Sequence, residues 1–304
     1  MSQLTLRDRA FVALQYLLPQ HLVSRFVHRV TRCRIPALKN ALIRAFVNHF
    51  HPVMADALEP EPLRYASFNA FFTRALKPEA RVPDPDPARV LCPADGTLSA
   101  IGGLRADTLL QAKGHEFTLP ALLADERFAA GGIEADTFRD GLYATIYLAP
   151  SNYHRVHMPL DGRLRAAWHV PGRLFSVNDV TAQLVPRLFA RNERLVCLFD
   201  GPAGPFAVIL VGALCVGSMS TVWHGEVTPR RARGVSLLPA VTGPAAQLAR
   251  GAQLGHFNMG STVIVLLPRG SATWDTSLAH GVPVRMGMGM GTLLSGAIQR
   301  PAAI

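Results

Sequence analysis

Lysine is nearly absent from this chain of 304 residues: Lys39, Lys77 and Lys113 are the only ones, so arginine carries the positive charge. An enzyme built on pyridoxal phosphate needs a Schiff-base lysine, and the scarcity counts against one. Cysteine is sparse too. Cys33, Cys92, Cys197 and Cys215 are scattered without a C-x-x-C pair, which argues against a disulfide scaffold or a cysteine-built zinc site and points to a reducing compartment. Charged residues make up only 17% of the chain and hydrophobic ones 49%. Disorder needs low hydrophobicity, so a disordered chain is excluded. No internal repeat, low-complexity tract or H-E-x-x-H motif occurs. The length suffices for one large domain or two small ones with a real core.

The positive charge is gathered at one end. Residues 1–50 hold Arg7, Arg9, Arg25, Arg29, Arg32, Arg34, Lys39 and Arg44 against Asp8, which is seven of the net +10. Leu22, Val23, Phe26, Val27 and Val30 recur at helical spacing, with Arg25, Arg29 and Arg32 expected on the opposite side. After the helix-starting Pro36, Leu38, Leu42, Ala45, Phe46 and His49 repeat the pattern. Amphipathic helices with a cationic face suit an anionic membrane surface. They equally suit a helical pair packed on its own domain. No aromatic-interleaved basic patch supports nucleic-acid binding.

The opening MSQLTLRDRAFVALQYLLPQ has an apolar stretch but no small-residue cleavage site, so no signal peptide is expected. Residues 201–223 are uncharged and long enough to span a bilayer. Their glycines, prolines and β-branched residues instead predict two buried strands with a bend near Gly212. No transmembrane span is expected.

The run RVPDPDP at 81–87 reads as an extended linker. Beyond it, short apolar runs at 90–91, 142–148, 164–170, 195–199, 206–211 and 262–267 predict strands, and Leu109–Phe128 and Asn178–Arg191 short helices. The expected class is α+β, a compact β-rich domain at 65–304 preceded by amphipathic helices in 1–64.

Three polar islands interrupt the apolar domain. Asp95-Gly96 is a turn after a short strand. Ser151–Pro159 holds His154 and His157 between two prolines, a histidine pair that fits either a loop hydrogen-bonded to itself or part of a metal site lacking its third ligand. Gly260-Ser261-Thr262 opens a β run, and Gly260, without a Cβ, leaves the peptide before Ser261 open to close approach. A serine there needs a neighbouring base to act as a nucleophile.

Together these islands resemble the bacterial phosphatidylserine decarboxylases. The likeness runs from about residue 65 through Ser67–Arg74, Pro93–Gly96, Gln111–His115, Tyr153-His154-Arg155-Val156-His157-Met158-Pro159, Asn192–Arg194 and Phe257–Thr262. Met259 stands where the family usually has leucine, a volume-conserving exchange.

The resemblance implies self-cleavage between Gly260 and Ser261, giving a β chain 1–260 and an α chain 261–304 that stay associated. It implies a covalent pyruvoyl group made from Ser261, with neither metal nor pyridoxal phosphate. His157 would be the base, Asp95 its orienting carboxylate in a Ser-His-Asp arrangement, and His154 the proton donor after CO2 leaves. The substrate would be phosphatidylserine, bound through a Schiff base. The place would be the cytoplasmic face of the inner membrane, peripherally on an anionic surface. A homodimer is also implied, although no residue here supplies its surface. Three rivals stay open: a metal-dependent hydrolase using His154 and His157, a non-catalytic lipid-binding protein with an unprocessed serine, and the same chemistry on another serine-headed lipid.

Overall fold

The computed structural model describes residues 4–112, 115–124, 135–215, 218–227 and 234–295. Three helices lead: α1 (Leu6–Leu17), α2 (Gln20–Thr31) and α3 (Pro36–Phe50). Thr5 and Asp8 cap α1 reciprocally, each side chain accepting from the other's backbone N–H. Pro36 starts α3 as its sequence predicts. A short α4 (Phe68–Phe72) is capped by Ser67 Oγ, which accepts from Ala70 N at 3.1 Å. Ile43 and Phe46 of α3 pack on Phe68, Phe71 and Phe72, a satellite core of edge-on rings.

The first two helices are inside out. The buried residues of α1 are Val12 and Gln15, and those of α2 are Gln20, Ser24 and Thr31. Gln15 Oε1 accepts from Ser176 N at 2.8 Å, and Gln20 Oε1 from Leu174 N at 2.9 Å. His28 and Arg32 both pair with Glu226. Leu6, Leu14, Leu17, Leu22 and Phe26 are left exposed. This corrects the expected faces. Arg25 and Arg29 share the outer side with Leu22 and Phe26, and Arg32 faces the protein. Among the described residues no helix is long and apolar enough to cross a membrane.

The strands run in chain order as β1 (Arg89–Leu91), β2 (Gly96–Gly103), β3 (Thr108–Ala112), β4 (His115–Thr118), β5 (Leu142–Leu148) and β6 (Arg155–His157). Then come β7 (Gly162–Val170), β8 (Arg194–Gly201), β9 (Gly204–Val211), β10 (Met219–Thr221), β11 (Gly225–Val227) and β12 (Ser236–Leu237). The last are β13 (Gln247–Leu248), β14 (Gln253–Phe257), β15 (Ser261–Leu267), β16 (Ala272–Trp274), β17 (Pro283–Val284) and β18 (Gly289–Leu293). The largest sheet has the order β12-β7-β8-β9-β15-β5-β2-β17, with β13 also on β7. Smaller sheets are β11-β10-β14-β6 and β1-β18-β16. The α+β class expected from the sequence is the one observed.

β15 is antiparallel to β5 on one side and β9 on the other, and Val263 to Leu267 are buried. The uncharged window resolves into β9, a break at Gly212 and β10, as predicted. The helix expected over Leu109–Phe128 is instead the hairpin β3–β4 followed by α5 (Leu119–Leu123); residues 125–128 lie outside the described ones. The stretch 178–191 forms α6 (Asp179–Leu184), capped by Asn178, and α7 (Leu188–Arg191).

Candidate active site

The turn from β14 to β15 carries Asn258, Met259 and Gly260. Asn258 is clamped on every side. Its N–H donates to Ser218 O at 3.1 Å and its Nδ2 to Ser218 Oγ at 2.8 Å and Ser220 Oγ at 3.2 Å. Asn69 Nδ2, from α4, donates to both its carbonyl oxygens at 3.1 Å. Met259 packs on the satellite core and the main core together. Ser261 then enters the sheet opposite Leu148.

His154 approaches this turn from the loop before β6. A Cβ placed on Gly260 would lie 3.4 Å from His154 Nε2 and 3.5 Å from Leu148 O. Glycine therefore opens the peptide to the ring. His154 is fully buried, its ring 4.0 Å from that of Phe72. Nδ1 lies 2.8 Å from Asn152 O. A carbonyl only accepts, so Nδ1 bears the proton and Nε2 presents a lone pair. Among the described residues that lone pair has no hydrogen-bond partner. Burial first, and then the charge of Arg74, lower the ring's pKa from 6.5 to about 3.

His157, three residues on, is held differently. Its Nδ1 donates to Gly251 O at 2.8 Å, and its Nε2 accepts from the Tyr153 hydroxyl at 3.1 Å. Burial lowers its pKa as well. Its backbone N–H donates to Pro93 O at 2.8 Å, which ties β6 to the turn that carries Asp95.

Asp95 does not hydrogen-bond to His157. Arg81 grips the buried carboxylate by a fork, Nε to Oδ1 at 2.9 Å and Nη2 to Oδ2 at 2.6 Å. Met286 N donates to Oδ1 at 2.9 Å, and Arg81 Nη1 reaches Asp56 at 2.9 Å. The bond to Asp95 raises the Arg81 pKa. The expected direct Asp–His contact is thus replaced by an Arg–Asp pair, with the imidazole oriented by a carbonyl and a phenol.

A pocket of about 310 Å³ reaches Gly260, walled by Phe46, Phe50 and Phe72 from the helices and by Tyr147, Leu148 and Val177 opposite. A smaller one, about 180 Å³, lies over Asp95 between Arg74, Arg81, Tyr153 and Arg285. Arg74 is buried there over the Phe71 ring, with Nη2 donating to Ser151 O at 3.2 Å; among the described residues Nε and Nη1 have no hydrogen-bond partner. Among the described residues no group of three His, Cys, Asp or Glu side chains is placed to hold a metal ion.

Arg74, Arg81, Tyr153 and Asn258 were not singled out from sequence. Arg74, Tyr153 and Asn258 lie inside the strings that carry the family resemblance, which was the available signal. Arg81 sits in the proline-acidic run and gave none.

Comparison with known proteins identifies the family. A family model described as phosphatidylserine decarboxylase matches residues 68–292, and one described as PSD matches residues 10–51. The phosphatidylserine decarboxylase proenzyme of Methylococcus capsulatus is 48% identical over 292 residues, covering 96% of this chain and 99% of its own. That of Bordetella pertussis is 51% identical over 298 residues, with 97% and 98% covered. That of Azotobacter vinelandii is 49% identical over 291 residues, with 94% and 99% covered.

Proposed function

The chain belongs to the phosphatidylserine decarboxylase family, and from that premise we propose that it removes the carboxylate of phosphatidylserine as CO2 by way of a pyruvoyl group made from its own Ser261. The observation that carries the reading is the buried, unpartnered Nε2 of His154 beside a glycine that precedes a serine. The precursor of the group is part of the chain, and the adjoining cavity of about 310 Å³ has room for a serine headgroup.

Cleavage needs no outside reagent except water. The Ser261 hydroxyl attacks the Gly260 carbonyl carbon; the C–O ester bond forms, the C–N bond breaks, and the hydroxyl proton passes to the nitrogen. Loss of the Ser261 α-proton expels the Gly260 carboxylate and leaves dehydroalanine, which water converts to pyruvoyl with release of ammonia. His157 is the base for these transfers. To act, its Nε2 exchanges the Tyr153 hydroxyl for that of Ser261, while Gly251 O holds the opposite nitrogen. Asp95, locked by Arg81, adds a negative field that favours the protonated imidazole.

A pyruvoyl group at this position supplies an electrophilic carbonyl for the headgroup amine and a sink for the electrons that CO2 leaves behind. His154 stands at the turn where it forms; neutral at rest, its Nε2 takes up a proton that the headgroup ammonium sheds and returns it to the headgroup carbon in place of CO2. Its apolar cage excludes water from that carbon.

The protein works peripherally at an anionic leaflet. Twelve of the large hydrophobic side chains exposed among the described residues lie before residue 59, and the same region carries most of the net positive charge. Phe46 and Phe50 bring the Gly260 pocket to this end of the molecule, where acyl chains remain in the bilayer.

Denaturing intact-mass spectra test the proposal. Wild type should give 1–260 and a pyruvoyl-headed 261–304 chain, Ser261→Ala one uncut species. His157→Ala should stay uncut, and His154→Ala should cut but release no CO2 from phosphatidylserine vesicles. A wild type that stays whole, or normal cutting by His157→Ala, overturns it.

A further inference from the structure

A cavity of about 470 Å³ lies beside the C-terminal end of α1, where the described lining residues include Arg173, Arg187 and Arg191 and no carboxylate; Arg194 also borders it but spends its guanidinium on backbone carbonyls. Among the described residues, none of Arg173, Arg187 and Arg191 forms an ion pair. Such a concentration of like charge is unfavourable unless something anionic offsets it.

Two of these arginines are held in place. The Arg173 guanidinium sits 5.4 Å from the Phe175 ring centre, and that of Arg191 lies 5.6 Å from both Phe175 and Tyr16. Arg173 Nη2 also donates to Tyr16 O at 3.2 Å and Arg191 Nη1 to the Tyr16 hydroxyl at 3.4 Å, so stacking and these bonds fix the two groups while their other N–H edges face the cavity. Arg187 has φ of +55°, left-handed backbone that glycine adopts without strain. A charged side chain at that turn is bought with backbone strain, which suits a site that needs the charge.

We propose that this cavity binds the phosphodiester of an anionic phospholipid other than the substrate, and so moors the end of α1 among lipid headgroups. Planar guanidinium forks match phosphate oxygens in pairs. The exposed Leu14 and Leu17 flank Tyr16 on the same helix end and would enter the acyl layer beside a bound headgroup. Segment 171–178 walls both pockets: Pro171, Gly172 and Arg173 line this one, Ser176, Val177 and Asn178 the one at Gly260. Arg173 and Ser176 are at most ~11 Å apart along the chain. A lipid phosphate held here keeps the mouth of the Gly260 pocket against the same leaflet.

The inference rests on the membrane-surface reading, and the experiment separates the two. Full-length Ser261→Ala protein, a single uncut species, is titrated with phosphatidylglycerol–phosphatidylcholine vesicles, alone and with Arg187→Gly or Arg269→Gln added. Arg187→Gly removes charge and relaxes the turn, so its melting temperature should hold or rise while vesicle affinity falls about fivefold. Arg269→Gln, exposed on the β15–β16 turn, should change affinity less than twofold. Equal losses in both variants would mean diffuse attraction, and no loss in Arg187→Gly would mean an idle cavity; either overturns the inference and leaves the membrane reading intact. Glycerol 1-phosphate that raises the melting temperature without competing with vesicles would assign the cavity to a soluble phosphate. No vesicle binding by the parent protein would sink both readings.

Discussion

Acid should weaken the fold well above the carboxylate range, through histidines buried in neutral form. His154 has its pKa lowered from 6.5 to about 3, and His256 from 6.5 to about 4, with burial the leading cause in each. In the unfolded chain both titrate near 6.5. A depressed native pKa means that the unfolded state binds the extra proton first, so the stability these rings support is complete above pH 6.5 and is lost as pH falls toward the native values. From pH 6.5 to 5 each ring then costs about 2 kcal/mol, at about 1.4 kcal/mol per pH unit. His157, shifted the same way by burial, steepens the fall. A combined loss of about 4 kcal/mol lowers Tm by roughly 10 °C in a chain of this size. The assay is calorimetry of Ser261→Ala protein at half-unit steps from pH 7 to 5, beside the same protein with His154→Phe or His256→Gln. Each substitution should remove about a third to a half of the pH slope, with His157 carrying the remainder, whatever it does to Tm at pH 7. An unchanged slope in both variants would refute the assignment to these rings.

Three further outcomes are expected. Gly260→Ala should fold with Tm close to wild type, because the added Cβ meets its nearest neighbours at 3.4 and 3.5 Å; it should still cut at least tenfold more slowly, as the methyl crowds the carbonyl carbon that the Ser261 hydroxyl must reach, and intact mass against time reads this. Asp95→Asn leaves the Arg81 fork with Asp56 alone and should lose about 2–4 kcal/mol in urea unfolding. After cutting, the two chains should co-elute on a native sizing column and separate only in denaturant, because β15 is paired on both edges with strands from the larger chain.

The strands are legible where short apolar runs rich in aromatic or β-branched residues lie between turn signals. Leu142–Leu148 was read with its observed limits, and 262–267 missed only the first residue of β15. The β3–β4 hairpin was not legible, because Leu109, Leu110 and Ala112 favour a helix in isolation. Tertiary contacts override that preference: Gln111 is buried, donating to Ala182 O and Val185 O and accepting from Leu188 N. At the site, both histidines could be named from one string, but not their partners. Asn152 and Gly251 contribute carbonyls, which every residue has, and the Arg81–Asp95 fork joins two segments separated by a strand.

The reversed faces of α1 and α2 show a different limit. Periodicity divides a helix into two sides but does not say which medium each side meets. The usual assumption of apolar inside fails when the protein interior offers better hydrogen bonds than water does. Gln15 and Gln20 satisfy backbone N–H groups of the 174–176 segment that would otherwise be buried unpaired. With those partners fixed, Leu14, Leu17, Leu22 and Phe26 have nowhere inward to go. Water is a poor medium for such a surface, and a patch spread over two helices marks a contact that the isolated chain does not make. Arg25 and Arg29 lie on that side too, and on the membrane reading proposed above their stems would lie along the apolar surface while their charged ends would reach lipid phosphates. On that reading the polar inner face, more than the cationic charge, is the feature that would distinguish such a helix from one with its apolar side packed on its own domain.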